Sequence, residues 1–418
     1  MKKIRSLYKH PLFVGGTLVV GGNMIANIIN YVYHLVMGRI LGPVDYGILA
    51  SLYSLLYLIS IVPSSASIAI VKFISSAKSD AEVYSIYKTL KKFVLRLSIG
   101  LSFLILILSP LIGNFLNIKN VVLILPVSII LFFSLFTLVN QATAQGLLKF
   151  LGLIGPTLIG SFLKLIVGVG LVFIGWSVFG AISGVVVGAI VAYLYSVLFI
   201  NKVLKKSSSK DFNIWPFLKY SLPVLVQAFA FTSLFTADVI LVKHFFSGHD
   251  AGIYAALSTL GKIIFFASAP IAAAMFPTVS RRKSHGERYA NIFLISLGIT
   301  LAISSVIVIF YWLFPGFAIT LLYGDAYLSA KPELVWMGIF ILFYSISSLL
   351  VNFSLSTGKT KIVVFPFAAA ILQIICLWIR HISLMQVIQT SLSIVVLNFF
   401  VMLVYLIYNR QKEAYVKE

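Results

Sequence analysis

From Leu12 to the region of Tyr405 the chain repeats one pattern, an apolar run of about 20 residues followed by a short polar break. About 20 residues of helix, at roughly 1.5 Å each, cross the ~30 Å hydrocarbon core of a bilayer. Twelve such runs are predicted, at 12–37, 46–72, 93–115, 121–148, 153–175, 177–200, 218–243, 253–279, 290–314, 333–356, 362–380 and 386–408. Inside hydrocarbon every backbone N–H and C=O needs an internal partner, so only helices or a closed barrel can cross. The short alternating segments of a barrel are absent. Composition agrees: 60% of residues are hydrophobic and 10% charged, far from the balance of a water-soluble domain. The chain therefore reads as an all-α polytopic membrane protein.

The 32 lysines and arginines against 11 acidic residues give a net charge of +21, which in a soluble domain would point to nucleic acid. Here no soluble domain presents a basic face, and nucleic acid is excluded as a partner. The cations follow the loops instead. With the N-terminus cytoplasmic, 25 fall on inner segments, among them Lys2, Lys3, Arg5 and Lys9, the run from Lys72 to Arg96, Lys206 and Lys210 in the central connection, the "RRKSHGER" loop and Lys417. Five fall outside: Arg39, Lys119, Lys243, Lys331 and Arg380. This is the positive-inside pattern, and it places both termini in the cytoplasm. The opening "MKKIRSLYKHP" is expected to lead a retained first helix, because the apolar run behind it is too long for a cleaved signal. Cys376 is the single cysteine, so neither an intrachain disulfide nor a cysteine metal site is expected, and no cofactor is implied.

Residues 38–57 and 243–262 match at an offset of 205, with Asp45/Asp250, Gly47/Gly252, Ile48/Ile253, Ala50/Ala255, Leu52/Leu257 and Leu55/Leu260 identical. Duplication of an even number of spans gives two repeats entering from the same side. The expected architecture is two parallel six-helix lobes, 1–205 and 206–418, around a central cavity. The glycines of the repeated phrase let the chain turn, and Asp45 and Asp250 are expected to cap the helices that follow.

Ionisable groups at bilayer depth cost several kcal/mol unless paired or wetted. Asp238 and Lys262 fall on neighbouring antiparallel spans, so an ion pair is expected, with a cavity-facing cation and a protonatable or cation-binding carboxylate as the functional alternative. Lys164 lies mid-span with no acidic residue in any span of the first half. Asn23, Asn27, Asn30 and His34 share one helical face, as do Gln141, Gln145 and Lys149; such stripes either line a wet cavity or bond helices together. Prolines at 63, 126, 156, 223, 270, 277 and 366 are expected to free carbonyls and bend their helices.

The first-helix ending "GRILGPVDYG", the stretch "SLPVLVQAFAFTSLFTADVILVKHFFSGHDAGIY" and "APIAAAMFPTVS" resemble the polysaccharide flippases of the multidrug/oligosaccharidyl-lipid/polysaccharide exporter superfamily. The resemblance implies translocation of a polyprenyl-pyrophosphate-linked oligosaccharide across the cell membrane by alternating access, driven by a proton or sodium gradient, with no enzymatic step. It implies that cavity cations hold the pyrophosphate. By position Lys262 and Arg39 fit that role, Lys164 less well, with Asn23, Asn27 and Asn30 lining the path and Asp238 coupling the ion. Membrane lipids, and a glycan polymerase or glycosyltransferases, are the implied partners. A cation-coupled drug or metabolite exporter of the same superfamily is the competing reading, although such exporters carry more acid in the first lobe. A membrane glycosyltransferase would call for paired carboxylates or a large outer loop, and the longest outer loop, around 315–332, is short.

Overall fold

The computed structural model describes residues 11–205, 207, 212–284 and 287–415, and among these there is no strand. The cations Lys2, Lys3, Arg5, Lys9, Lys206, Lys210 and Lys417 of the charge pattern lie outside the described residues. Thirteen α-helices follow one another: α1 Pro11–Ile59, α2 Ile61–Ser75, α3 Asp80–Phe115, α4 Leu125–Gly146, α5 Phe150–Leu171, α6 Ser177–Val203, α7 Trp215–Phe245, α8 Gly248–Ser284, α9 Ala290–Leu313, α10 Pro315–Leu322, α11 Lys331–Ser356, α12 Val364–Ile379 and α13 Leu384–Tyr415. The all-α fold class expected from the sequence is thus the observed one.

Ten described helical stretches are long and apolar enough to cross a membrane. Two of them, Leu18–Ile59 and Phe150–Val203, double back at a glycine. In α1 the break is Gly42, with φ 70° and ψ 175°. His34 and Tyr53 then meet with ring centroids 4.7 Å apart, whereas 19 residues of straight helix would hold them about 28 Å apart. The second break is Gly175, with φ 96° and ψ 8°, after which α6 returns along α5. Both conformations lie in the positive-φ region where a Cβ is strained.

Glycine also sets how closely α5 and α6 approach. A Cβ on Gly184 would stand 2.4 Å from the Gly168 Cα, and one on Gly188 would stand 2.6 Å from the Gly160 carbonyl oxygen. Gly180, Gly184 and Gly188 recur every four residues, the small-xxx-small spacing by which membrane helices bring their backbones together. A hydroxyl joins the two turns, because Ser177 donates to the Asp45 carboxylate. Asp45 therefore serves as a link between turns, not as the expected cap of its own helix.

At the corresponding turn of the second phrase the cap is Ser247. Its side chain accepts from the Asp250 N–H at 3.1 Å and donates to the Asp250 carboxylate at 2.8 Å. Asp250 is in the third helical position, where its charge also favours the positive end of the helix dipole. The expectation that Asp250 itself is the cap is corrected on that point.

The prolines act differently from expectation. Pro126 occupies the first turn of α4, and Pro63 and Pro366 are the third residues of α2 and α12. First-turn N–H groups have no acceptor within their own helix, so Pro126 costs α4 no hydrogen bond. Pro156, Pro270 and Pro277 are within helices. The sharp reversals come from glycine.

The chain divides into two compact units, Met1–Ala228 and Phe229–Glu418, the division falling inside α7. In the first unit α4 and α6 are flanked by α3, α5 and α2. A polar seam ties them: Tyr87 of α3 donates to Asn140 of α4 at 3.0 Å, and Asn140 donates to Ser196 of α6 at 2.9 Å. In the second unit α11 is the central helix, packed by α8, α9 and α13. The outer faces carry large apolar side chains such as Phe103, Leu198, Val306 and Val404, as expected where acyl chains are the solvent.

Candidate functional site

In the first unit, α5 carries Thr157, Ser161 and Lys164 at spacings of four and three, hence on one face. They line a pocket of about 330 Å³ together with Asn30 of α1 and Thr137 and Gln141 of α4. Lys164 is 7% exposed. Its ammonium donates to the Asn30 side-chain oxygen and lies 4.5 Å from the Tyr33 ring centroid and 5.3 Å from that of Tyr53. Tyr33 is held in place by donating to the Ala181 carbonyl at 3.0 Å. No described carboxylate is within ion-pair distance of the lysine; the three described ion pairs are elsewhere and exposed. An amide oxygen and two ring faces stabilise the cation but bring no net negative charge.

Sequence reasoning named Lys164 and Asn30 separately, and the structure brings them together across 134 positions. Asn23 and Asn27 are exposed, while His34 packs among Tyr33, Tyr46 and Tyr53. Gln141 donates to the Leu153 carbonyl at 2.6 Å and to the Thr157 hydroxyl at 2.9 Å. It thereby bonds α4 to α5 as well as lining the pocket. The Thr157–Ser161–Lys164 stripe was missed, although its spacing is visible in the sequence. Arg39 is exposed in the last turn before Gly42.

In the second unit, Asp238 of α7 is 1% exposed. Its carboxylate accepts from the Tyr254 hydroxyl at 2.7 Å and from the Val239 N–H at 2.9 Å. The expected Asp238–Lys262 ion pair is not formed: no salt bridge within 4.0 Å joins them. Depth is the reason. Asp238 is seven residues from the end of α7, Tyr254 six from the start of α8, and Lys262 fourteen. Eight residues of helix set Lys262 about 12 Å deeper than Tyr254. Its ammonium lies instead 4.5 Å from the Phe235 ring centroid, within an aromatic group completed by Phe265, Phe266 and Tyr344.

Lys243, counted by the sequence as a loop cation on the outer side, is 3% exposed and belongs to the last turn of α7. A cation there opposes the negative end of the helix dipole.

The arrangement is that of charged side chains sequestered among apolar helices. Among solved structures, lipid II flippase MurJ in its inward closed conformation superposes with a TM-score of 0.74 at 16% identity, covering 93% of this chain and 87% of that one. An inward-facing multidrug resistance MATE family transporter of the MOP superfamily gives 0.70 at 12% identity, covering 93% and 99%. The class that the fold defines is a multi-pass membrane protein built like these two transporters. The family model for polysaccharide biosynthesis proteins matches residues 36–332, and the chain belongs to that family. An uncharacterized membrane protein of Methanocaldococcus jannaschii is 24% identical over 286 residues, 63% of this chain and 67% of that protein.

Proposed function

We propose that the protein is a flippase carrying a polyprenyl-pyrophosphate-linked oligosaccharide across the cell membrane by alternating access, its cycle coupled to an ion gradient. The observation that carries this reading is Lys164, a buried lysine with no described carboxylate beside it. A fixed cation left without an anion is a binding element for an anionic headgroup. Lys262, resting on Phe235, is assigned to substrate binding in the second unit, and Arg39, Asn23, Asn27 and Asn30 in the first. Asp238 is the coupling group, since a buried carboxylate held by one hydroxyl and one N–H can take up a proton or a cation. Family membership supports a polysaccharide substrate. The hairpins at Gly42 and Gly175 support twelve crossings, an even number that puts both ends of the chain on one side, and the charge pattern supports the cytoplasm as that side. Glycosyltransferases would then supply the substrate, and a glycan polymerase would consume it.

Complementation tests the proposal. A strain lacking its own flippase should regain surface polysaccharide with the wild-type chain and lose most of it with Lys164→Ala, Lys262→Ala or Asp238→Ala at equal membrane abundance. Full export by all three variants would overturn the site assignment. No export by the wild type, despite membrane insertion, would overturn the substrate.

A further inference from the structure

The pocket of the first unit carries an unbalanced charge. Its one cation, Lys164, is 7% exposed. The acidic residues described in that unit are committed elsewhere: Asp45 accepts from Ser177, Glu82 accepts from the Lys78 N–H at 2.7 Å, and Asp80 is 3.8 Å from the Lys205 ammonium. The rest of the lining used here is neutral: Asn30, Thr137, Gln141, Thr157 and Ser161. Two tyrosine faces attract the ammonium but bring no counter-charge. A buried charge without a counter-charge is strongly disfavoured.

We propose that this pocket binds a small inorganic monoanion of the chloride class as the counter-ion of Lys164. The stoichiometry of charge selects a monoanion. While no headgroup is bound, one lysine among neutral donors balances one negative charge. Size agrees: about 330 Å³ holds a halide and several waters of about 30 Å³ each. Thr157 is placed to help, because its oxygen accepts from Gln141 at 2.9 Å and its own hydroxyl hydrogen is left for another acceptor. The ion deepens the flippase reading and rests on it in one respect only: an arriving anionic substrate displaces the halide, which is then a competitor of transport.

The test is thermal unfolding of the full chain in detergent with the sodium salts of chloride, bromide, gluconate and pyrophosphate at matched ionic strength. Chloride and bromide should raise the midpoint of the wild type over gluconate by about 2 °C or more. Asn30→Asp places a carboxylate beside the lysine and should abolish that difference, as should Lys164→Met. Where Lys164→Met fails to fold, Asn30→Asp alone decides, and it also subtracts the general effect of salt on stability. A wild type indifferent to halide, or an Asn30→Asp chain that keeps the full halide effect, overturns the proposal. Stabilisation by pyrophosphate with none by halide overturns it in favour of a diphosphate site. These outcomes do not depend on complementation, so a correct flippase reading and a wrong ion assignment give different results.

Discussion

The hydroxyl of Tyr254 donates a 2.7 Å hydrogen bond to the carboxylate of Asp238, both side chains being almost fully buried. They meet because the 246–247 turn sets them at matching depth on α7 and α8. Tyr254→Phe removes the donor and leaves a buried carboxylate one bond short, a loss of about 1–3 kcal/mol. Asp238→Asn keeps an acceptor for the hydroxyl, so it should melt closer to the wild type while export fails. Thermal unfolding in detergent checks both, and a Tyr254→Phe chain as stable as the wild type would show that the bond supports nothing.

Lys262 tests whether the missing ion pair is missing in fact. Breaking a buried pair costs about 3–5 kcal/mol. A lysine resting on the Phe235 ring at 4.5 Å should cost about 2 kcal/mol or less when replaced by Met. Lys262→Met is therefore expected to fold almost normally and to lose export. A melting loss on the ion-pair scale would contradict the geometry.

The two turning glycines should respond differently to the same replacement. Gly42, at φ 70° and ψ 175°, occupies a region open almost to glycine alone, so Gly42→Asn should cost about 1–3 kcal/mol. Gly175, at φ 96° and ψ 8°, is near the left-handed helical region that asparagine tolerates, so Gly175→Asn should cost less. The ratio of folded to aggregated protein on size exclusion, and the midpoints of unfolding, rank the two.

Gly184 leaves no room for a methyl group, since its Cβ would stand 2.4 Å from the Gly168 Cα. Gly184→Ala should force α5 and α6 apart at about 1–3 kcal/mol, and Gly184→Leu should abolish the monodisperse species. A Gly184→Leu chain that purifies like the wild type would mean that the helices do not pack backbone to backbone.

The sequence by itself determined the elements. Runs of about 20 apolar residues leave the backbone no choice but helix, and that holds for each run locally, whatever surrounds it. Turn positions were legible because each falls in a polar break between runs, but the caps were not: Ser247, not Asp250, caps the helix after the second turn. The candidate residues Lys164, Asn30, Asp238 and Lys262 were legible as costly polar groups in apolar runs, but their partners were not. Asn30 and Lys164 lie 134 positions apart, Ser177 and Asp45 lie 132 apart, and neither meeting leaves a trace in either segment. Pairing depends on how far each helix is rotated and slid against its neighbour. A slide of two turns, about 11 Å, is what gives Asp238 to Tyr254 and leaves Lys262 on Phe235. Only the packed structure fixes that slide, because it is set by steric fit along whole faces, such as Gly184 on Gly168, and by no single residue type.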